Sequence, residues 1–121
     1  MTSRVVPMIR VPDVRATASW YESIGFTVIG THEDEGKMDW ANLRFGASEV
    51  MFNAGGRPSA DARRDVDLYV HTDGVDDLYQ RLKDRVQIEK SPYDTFFGKR
   101  ELIVRDINGF WVTFAQDAAA P

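Results

Sequence analysis

Hydrophobic and polar positions along this chain change period in the same order twice. Residues 4 to 11, Arg-Val-Val-Pro-Met-Ile-Arg-Val, read as a strand in which Pro7 marks an edge or a start. Asp13 is then placed as an N-cap, and Val14, Ala18 and Tyr21 fall at helical spacing, with Gly25 set to end a helix over 14 to 24. Strands are expected over 26 to 31, 38 to 45 and 49 to 53, the first two joined by the acidic turn Glu33-Asp34-Glu35-Gly36. The pattern restarts with a strand over 66 to 72 and a helix with the apolar stripe Val75, Leu78, Tyr79 and Leu82, opened by Asp73 or Gly74. Strands over 86 to 90, 100 to 105 and 110 to 116 follow, with Asn108-Gly109 expected to form a primed hairpin turn and 117 to 121 a tail.

The strand-to-helix step Val11-Pro12-Asp13-Val14 thus has a counterpart 61 residues later, in Thr72-Asp73-Gly74-Val75. The reading is a single α+β domain of two βαβββ units, 4–53 and 66–116, separated by a connector over 54–65 that contains Gly55-Gly56-Arg57-Pro58-Ser59-Ala60. Two such units would form a curved mixed-sheet cleft with the helices outside. Alternation puts residues 6, 8 and 10, and by the repeat 67, 69 and 71, on the inner faces, and turns Pro7, Ile9, Val11, Leu68, Val70 and Thr72 toward the helices. Trp20, Phe26 and Phe114 are assigned to the core, whereas Trp40 lies opposite the helix-facing set Ala41, Leu43 and Phe45.

Composition narrows the function classes. With 121 residues, 43% of them hydrophobic, the chain can bury about two-thirds of the surface its unfolded form exposes. It has no cysteine, so disulfides, thiolate ligands and cysteine nucleophiles are all absent, and a reducing, cytoplasmic setting is the default. Residues 1 to 10 lack the apolar run of a secretion signal, and no stretch reaches the roughly 18 apolar residues of a membrane span. A net charge of −4, with both signs interspersed and no basic cluster beyond Arg63-Arg64 and Lys99-Arg100, argues against nucleic acid as a partner, because that affinity needs a basic face.

Common catalytic signatures are missing. Ser23, Ser48 and Ser91 have neither a glycine elbow nor an obvious histidine partner, and Gly55-Gly56 leads into no phosphate loop or dinucleotide fingerprint. There are two histidines. His32 adjoins the acidic turn and reads as part of a solvated hairpin tip, whereas His71 shares by alternation the face of Asp67 and Tyr69.

In order and spacing, Val5-Val6-Pro7-Met8-Ile9-Arg10-Val11-Pro12-Asp13-Val14 running into Trp20-Tyr21-Glu22-Ser23-Ile24-Gly25-Phe26, then Val75-Asp76-Asp77-Leu78-Tyr79, then Phe97-Gly98-Lys99-Arg100-Glu101 and Arg105-Asp106-Ile107-Asn108-Gly109, resemble the vicinal oxygen chelate superfamily. That superfamily includes glyoxalase I, extradiol dioxygenases, fosfomycin resistance enzymes and bleomycin resistance proteins. Ile107 departs from the proline usual in its last turn. The resemblance implies the fold and leaves the chemistry open, since one scaffold here hosts many reactions. Its enzymes hold a divalent metal on the first and last strand of each unit, places that fall on Val6, Met51, Asp67 and Thr113. Only Asp67 is a credible ligand there, while a catalytic site needs about three imidazole or carboxylate donors. No metal or other cofactor is therefore expected.

The resemblance then points to the bleomycin resistance branch, whose members sequester a drug, usually as dimers with crevices shared between chains. Such a groove needs flat aromatic walls and acidic groups. The candidate ligand-binding residues are Trp40, Asp67, Tyr69, His71, Phe96, Phe97, Trp111 and Thr113, with Glu49 and Glu101 adding negative charge and Arg10, Arg44 and Arg105 opposing it. The expected protein is a metal-independent homodimer that binds a planar or cationic small molecule. The alternatives are a metal-dependent lyase, isomerase or dioxygenase of the same superfamily and, thirdly, an interaction module that takes a partner peptide.

Overall fold

The computed structural model describes residues 4–58 and 64–119. Contacts divide the chain into two compact units, residues 1–59 and 60–121. Residues 59–63 of the expected connector, with Arg63 of its basic pair, and residues 120–121 of the expected tail lie outside the described residues.

The first unit runs β1 (Met8–Arg10), α1 (Val14–Ser23), β2 (Thr27–Asp34), β3 (Lys37–Phe45) and β4 (Ser48–Asn53). Its sheet has the order β1-β4-β3-β2, with β1 parallel to β4 and the other pairs antiparallel. Asp13 caps α1 as its position implies: its carboxylate accepts the Ala16 N–H at 2.9 Å and its carbonyl accepts the Thr17 hydroxyl at 2.7 Å. The helix ends at Ser23, one residue earlier than expected, and Gly25 takes a positive φ of 112° that a side chain would resist. Tyr21, fully buried, stands edge-on to Phe26 at 5.1 Å and tilted on Phe52 at 5.0 Å. This aromatic cluster and the buried Val11, Val14, Ala41, Leu43 and Val50 form the core of the unit. Trp20, expected in that core, is only partly buried and lies edge-on to Tyr21.

The second unit repeats the order: β5 (Asp67–His71), α2 (Val75–Leu82), β6 (Gln87–Asp94), β7 (Lys99–Arg105) and β8 (Trp111–Asp117). Its sheet order is β5-β8-β7-β6, again with one parallel pair, β5 with β8. The α2 stripe of Val75, Leu78 and Leu82 is buried with Val70, Leu102, Val104, Val112 and Phe114 from one face of the sheet. Unlike α1, α2 starts from Gly74 in the left-handed region, whose lack of a side chain leaves no local cap. The acceptor comes from β8 instead, where the Gln116 side-chain carbonyl takes the Val75 N–H at 2.6 Å. Arg100 adds a bidentate pair to Asp76 in the first turn of α2, at 2.8 and 2.9 Å, and a bond to Asp94 at 3.0 Å.

Several boundaries and the type of one tight turn depart from the sequence reading. Strand β1 is shorter than 4 to 11, and Val6 and Pro7 precede it, although the Pro7 carbonyl still accepts the Met51 N–H at 2.8 Å. β6 runs on to Asp94 through Pro92, which is tolerated because β6 is an edge strand. The turn at Asn108-Gly109 is not of the primed type: only Gly109 has positive φ, and the Asp106 carboxylate organises the loop by accepting the N–H groups of Asn108 and Phe110 at 2.7 and 2.8 Å. The primed signature, two successive positive φ values, sits instead at Glu35 (52°) and Gly36 (78°). Gly56 closes the first unit, because a Cβ there would lie 2.6 Å from the Arg10 and Val11 backbone.

Candidate functional site

In each unit the face of the sheet away from the buried helix side carries the chemistry. Strand register defines what shares that face in the second unit: Asp67 lies beside Trp111, Tyr69 beside Thr113 and His71 beside Ala115 on the parallel pair, and Trp111, Thr113 and Ala115 lie beside Arg105, Ile103 and Glu101 on β7. Five of the expected ligand-binding residues, Asp67, Tyr69, His71, Trp111 and Thr113, therefore fall on one face. Tyr69 and His71 touch ring to ring, edge-on at 5.2 Å. Thr113 is buried and contributes little surface, whereas Asp67 and His71 are exposed and Trp111 is partly so.

The centre of this face is Glu101. Its side chain is buried, with 5% of the residue exposed, and each carboxylate oxygen accepts a phenol: Tyr69 donates to Oε2 at 2.5 Å and Tyr93 to Oε1 at 2.7 Å. Tyr69 projects from β5 and Glu101 from β7, so the phenol must cross β8. On β8 the register neighbour of Tyr69 is Thr113 and that of Glu101 is Ala115. Both phenols are pushed up to about 12. For Tyr69 the larger cause is burial and then the bond to Glu101; for Tyr93 it is that bond and then burial. Lys90 places its ammonium 3.8 Å from the centre of the Tyr93 ring. Arg105 pairs with Glu89 at 2.9 Å, both side chains largely covered, and its Nε is buried with no acceptor. At the other edge Lys99 holds Asp117 below the usual carboxylate range through a 2.6 Å bond, and nearby His71 adds to that effect.

Sequence reasoning gave Glu101 only a general negative charge and did not name Tyr93. Two register shifts between β6 and β7 bring Tyr93 opposite Glu101, where unbroken alternation from Gln87 would have put Ser91.

The first unit arranges its open face differently. Met8, Met51 and Asn42 form one row, and Arg10, Asn53, Trp40 and His32 the next. Trp40 is on this face as expected, and its ring lies against Gly30, where a Cβ would meet it at 3.2 Å. Glu49 accepts from Asn42 at 2.8 Å and from Arg4, and Arg4 holds its carboxyl below the usual range. His32 is exposed and hydrogen-bonded to Asp39 at 2.7 Å; that contact raises its pKa. Phe96 and Phe97 are not on a sheet face. They occupy the turn between β6 and β7, edge-on to each other at 5.1 Å and 100% and 55% exposed.

The superfamily's metal can be tested against these residues. The neighbours of Met51 and Thr113 in register are Met8 and Tyr69, and none of the four is an imidazole or carboxylate. Val6 has only methyl groups to offer, Asp67 lies beside Trp111, and among the described residues no three His, Cys, Asp or Glu side chains come together to hold a metal ion. The residues do not fit the group.

Two βαβββ units, each a four-stranded mixed sheet with one helix, define the glyoxalase/bleomycin resistance fold. The family model for the Glyoxalase/Bleomycin resistance protein/Dioxygenase superfamily matches residues 4–114, and the chain belongs to that superfamily. Among solved structures it is similar to TioX from Micromonospora sp. ML1, at 23% identity over 96% of this chain and 99% of that one with a TM-score of 0.76. It is also similar to a bleomycin resistance determinant encoded on the transposon Tn5, at 22% identity over 98% and 100% with a TM-score of 0.72. A bleomycin-binding protein solved in complex with bleomycin aligns at 21% identity over 96% and 99%, with a TM-score of 0.69. At these identities the likeness speaks for the fold. No curated protein matches in sequence. No helix among the described residues is long and apolar enough to cross a membrane.

Proposed function

We propose that this protein binds a planar or cationic small molecule without a metal and sequesters it unchanged, as proteins of the bleomycin resistance type do, with a role in antibiotic resistance. One observation carries the reading: the open face of the second sheet gathers Asp67, Tyr69, His71 and Trp111 on the same side as a buried carboxylate, while three of the four positions where relatives hold a cation carry Val6, Met51 and Thr113, and among the described residues no three donors come together. Aromatic walls and negative charge are what a groove needs to hold a flat cation by surface contact, each ring contributing about 0.5 to 1.5 kcal/mol. The working form is a cytoplasmic homodimer, and the exposed Phe96-Phe97 pair offers a further aromatic wall. Small molecules, and not nucleic acid, are its partners.

Calorimetric titration of the purified protein with bleomycin and with simpler planar cations tests this, with tryptophan fluorescence followed in parallel. The expected result is saturable binding that chelator does not weaken, quenching that is lost in Trp111→Phe, and recovery of the ligand chemically intact. The absence of heat and quenching with every ligand, or one tightly held transition metal per chain with turnover, would overturn it.

A further inference from the structure

We propose that Tyr69 is a platform for organic ammonium ions and that Glu101 sets its strength from behind. A phenol that donates its proton to a carboxylate becomes richer in electrons, and a richer ring face attracts a cation more strongly. Both phenols bonded to Glu101 are in that condition, at 2.5 and 2.7 Å. The molecule already uses one of them so: the Lys90 ammonium lies 3.8 Å from the centre of the Tyr93 ring. Tyr69 is the counterpart whose ring faces solvent, 46% exposed, with the His71 ring edge-on to it.

Glu101 itself makes no ion pair within 4 Å among the described residues, although it is buried. A carboxylate withdrawn from water with two neutral partners is costly to keep. Its charge reaches the surface through the two rings. The ligand class follows: an ammonium, primary to quaternary, small enough at the nitrogen to rest on one ring, with no need to touch the carboxylate. This rests on the reading of the protein as a small-molecule binder and names the group that this face would grip.

The test uses an isosteric pair, choline and its uncharged analogue 3,3-dimethyl-1-butanol, titrated into the full chain and followed by the Tyr69 and His71 ring resonances. Choline is expected to shift both sets and the alcohol neither. Tyr69→Leu should weaken choline roughly fivefold and Tyr69→Phe, which keeps the ring but cuts the link to Glu101, roughly twofold. Glu101→Gln should match Tyr69→Phe, and the double variant should add little to either, because both remove one coupling. Equal shifts from the alcohol, or wild-type choline binding in Tyr69→Phe and Glu101→Gln with the ring resonances dispersed as in the folded protein, would overturn the proposal. If bleomycin binds while choline does not, the inference fails and the sequestration reading stands. If choline discriminates while no planar ligand binds, the sequestration reading falls and the platform stands.

Discussion

Across the open face of the first sheet runs the row Arg10, Asn53, Trp40, His32, and across the second the matching row is His71, Ala115, Glu101, Tyr93. The topology is the same in both, and the chemistry is not. In the first, a flat indole rests on Gly30, and the side-chain oxygens of Asn42 and Asn53 are buried without a donor. In the second, alanine takes the middle of the row, and Tyr69 reaches from β5 to a buried carboxylate on β7. One topology thus carries a flat indole among amides on one open face and a buried carboxylate bonded to two phenols on the other. The buried sides differ less, yet one is aromatic (Tyr21, Phe26, Phe52) and the other mostly aliphatic around Phe114.

The largest effects expected are those that compare the two buried sides. Phe52→Ala and Phe114→Ala each remove a fully buried ring and should cost about 3 to 5 kcal/mol. Phe52 should fall toward the upper end, because it also loses the ring contact with Tyr21 at 5.0 Å, which is worth about 0.5 to 1.5 kcal/mol. Urea midpoints at unchanged slope give the comparison; a Phe52 variant that is the milder of the two would mean that the aromatic cluster is not what holds the first unit together.

A smaller contrast lies in the helix starts. Asp13→Ala removes a cap next to its own helix, and Gln116→Ala removes one supplied by a distant strand; each should cost about 1 kcal/mol. The two diverge in peptides. A peptide spanning α1 should lose helicity with Asp13→Ala, while a peptide spanning α2 has no access to Gln116 and should start less helical than its composition implies. Circular dichroism of the two peptides, beside the urea midpoints of the two variants, separates local from tertiary capping.

These contrasts mark what could be read from the chain. Helical spacing and the Asp13 cap gave α1 its start, and alternation gave the faces of β5 and β8, since each depends on neighbours in sequence. The Glu101 cluster was hidden for a physical reason: the register of β6 against β7 shifts twice, between Ile88 and Lys90 and between Lys90 and Tyr93, so counting by twos from Val86 loses the partner of Glu101. The type of the Asn108-Gly109 turn was misassigned for a related reason. Asn-Gly favours a primed turn locally, but the Asp106 carboxylate, two residues upstream, claims the N–H groups that decide the loop. Gln116 as a cap could not be inferred from α2 at all, because it arrives through sheet pairing 41 residues away.

The finest difference between the two faces is one of protons, and it should appear in the alkaline titration. Tyr69 and Tyr93 have folded pKa values of about 12 against an ordinary value of 10.0. A group raised in this way favours the protonated form in the native state. Its contribution to stability is therefore complete below about pH 10 and is lost as pH rises toward 12. Ultraviolet difference absorbance of the phenolate should show Tyr69 and Tyr93 ionising late. Unfolding free energy should decline through the same interval. In Glu101→Gln both late phenols should move down, because the fixed negative charge that opposes a second one is gone. In Tyr93→Phe the late ionisation of Tyr69 should remain. Late ionisation that persists unchanged in Glu101→Gln would show that burial alone delays these phenols, and the carboxylate would then lose its standing as the feature that sets the second face apart from the first.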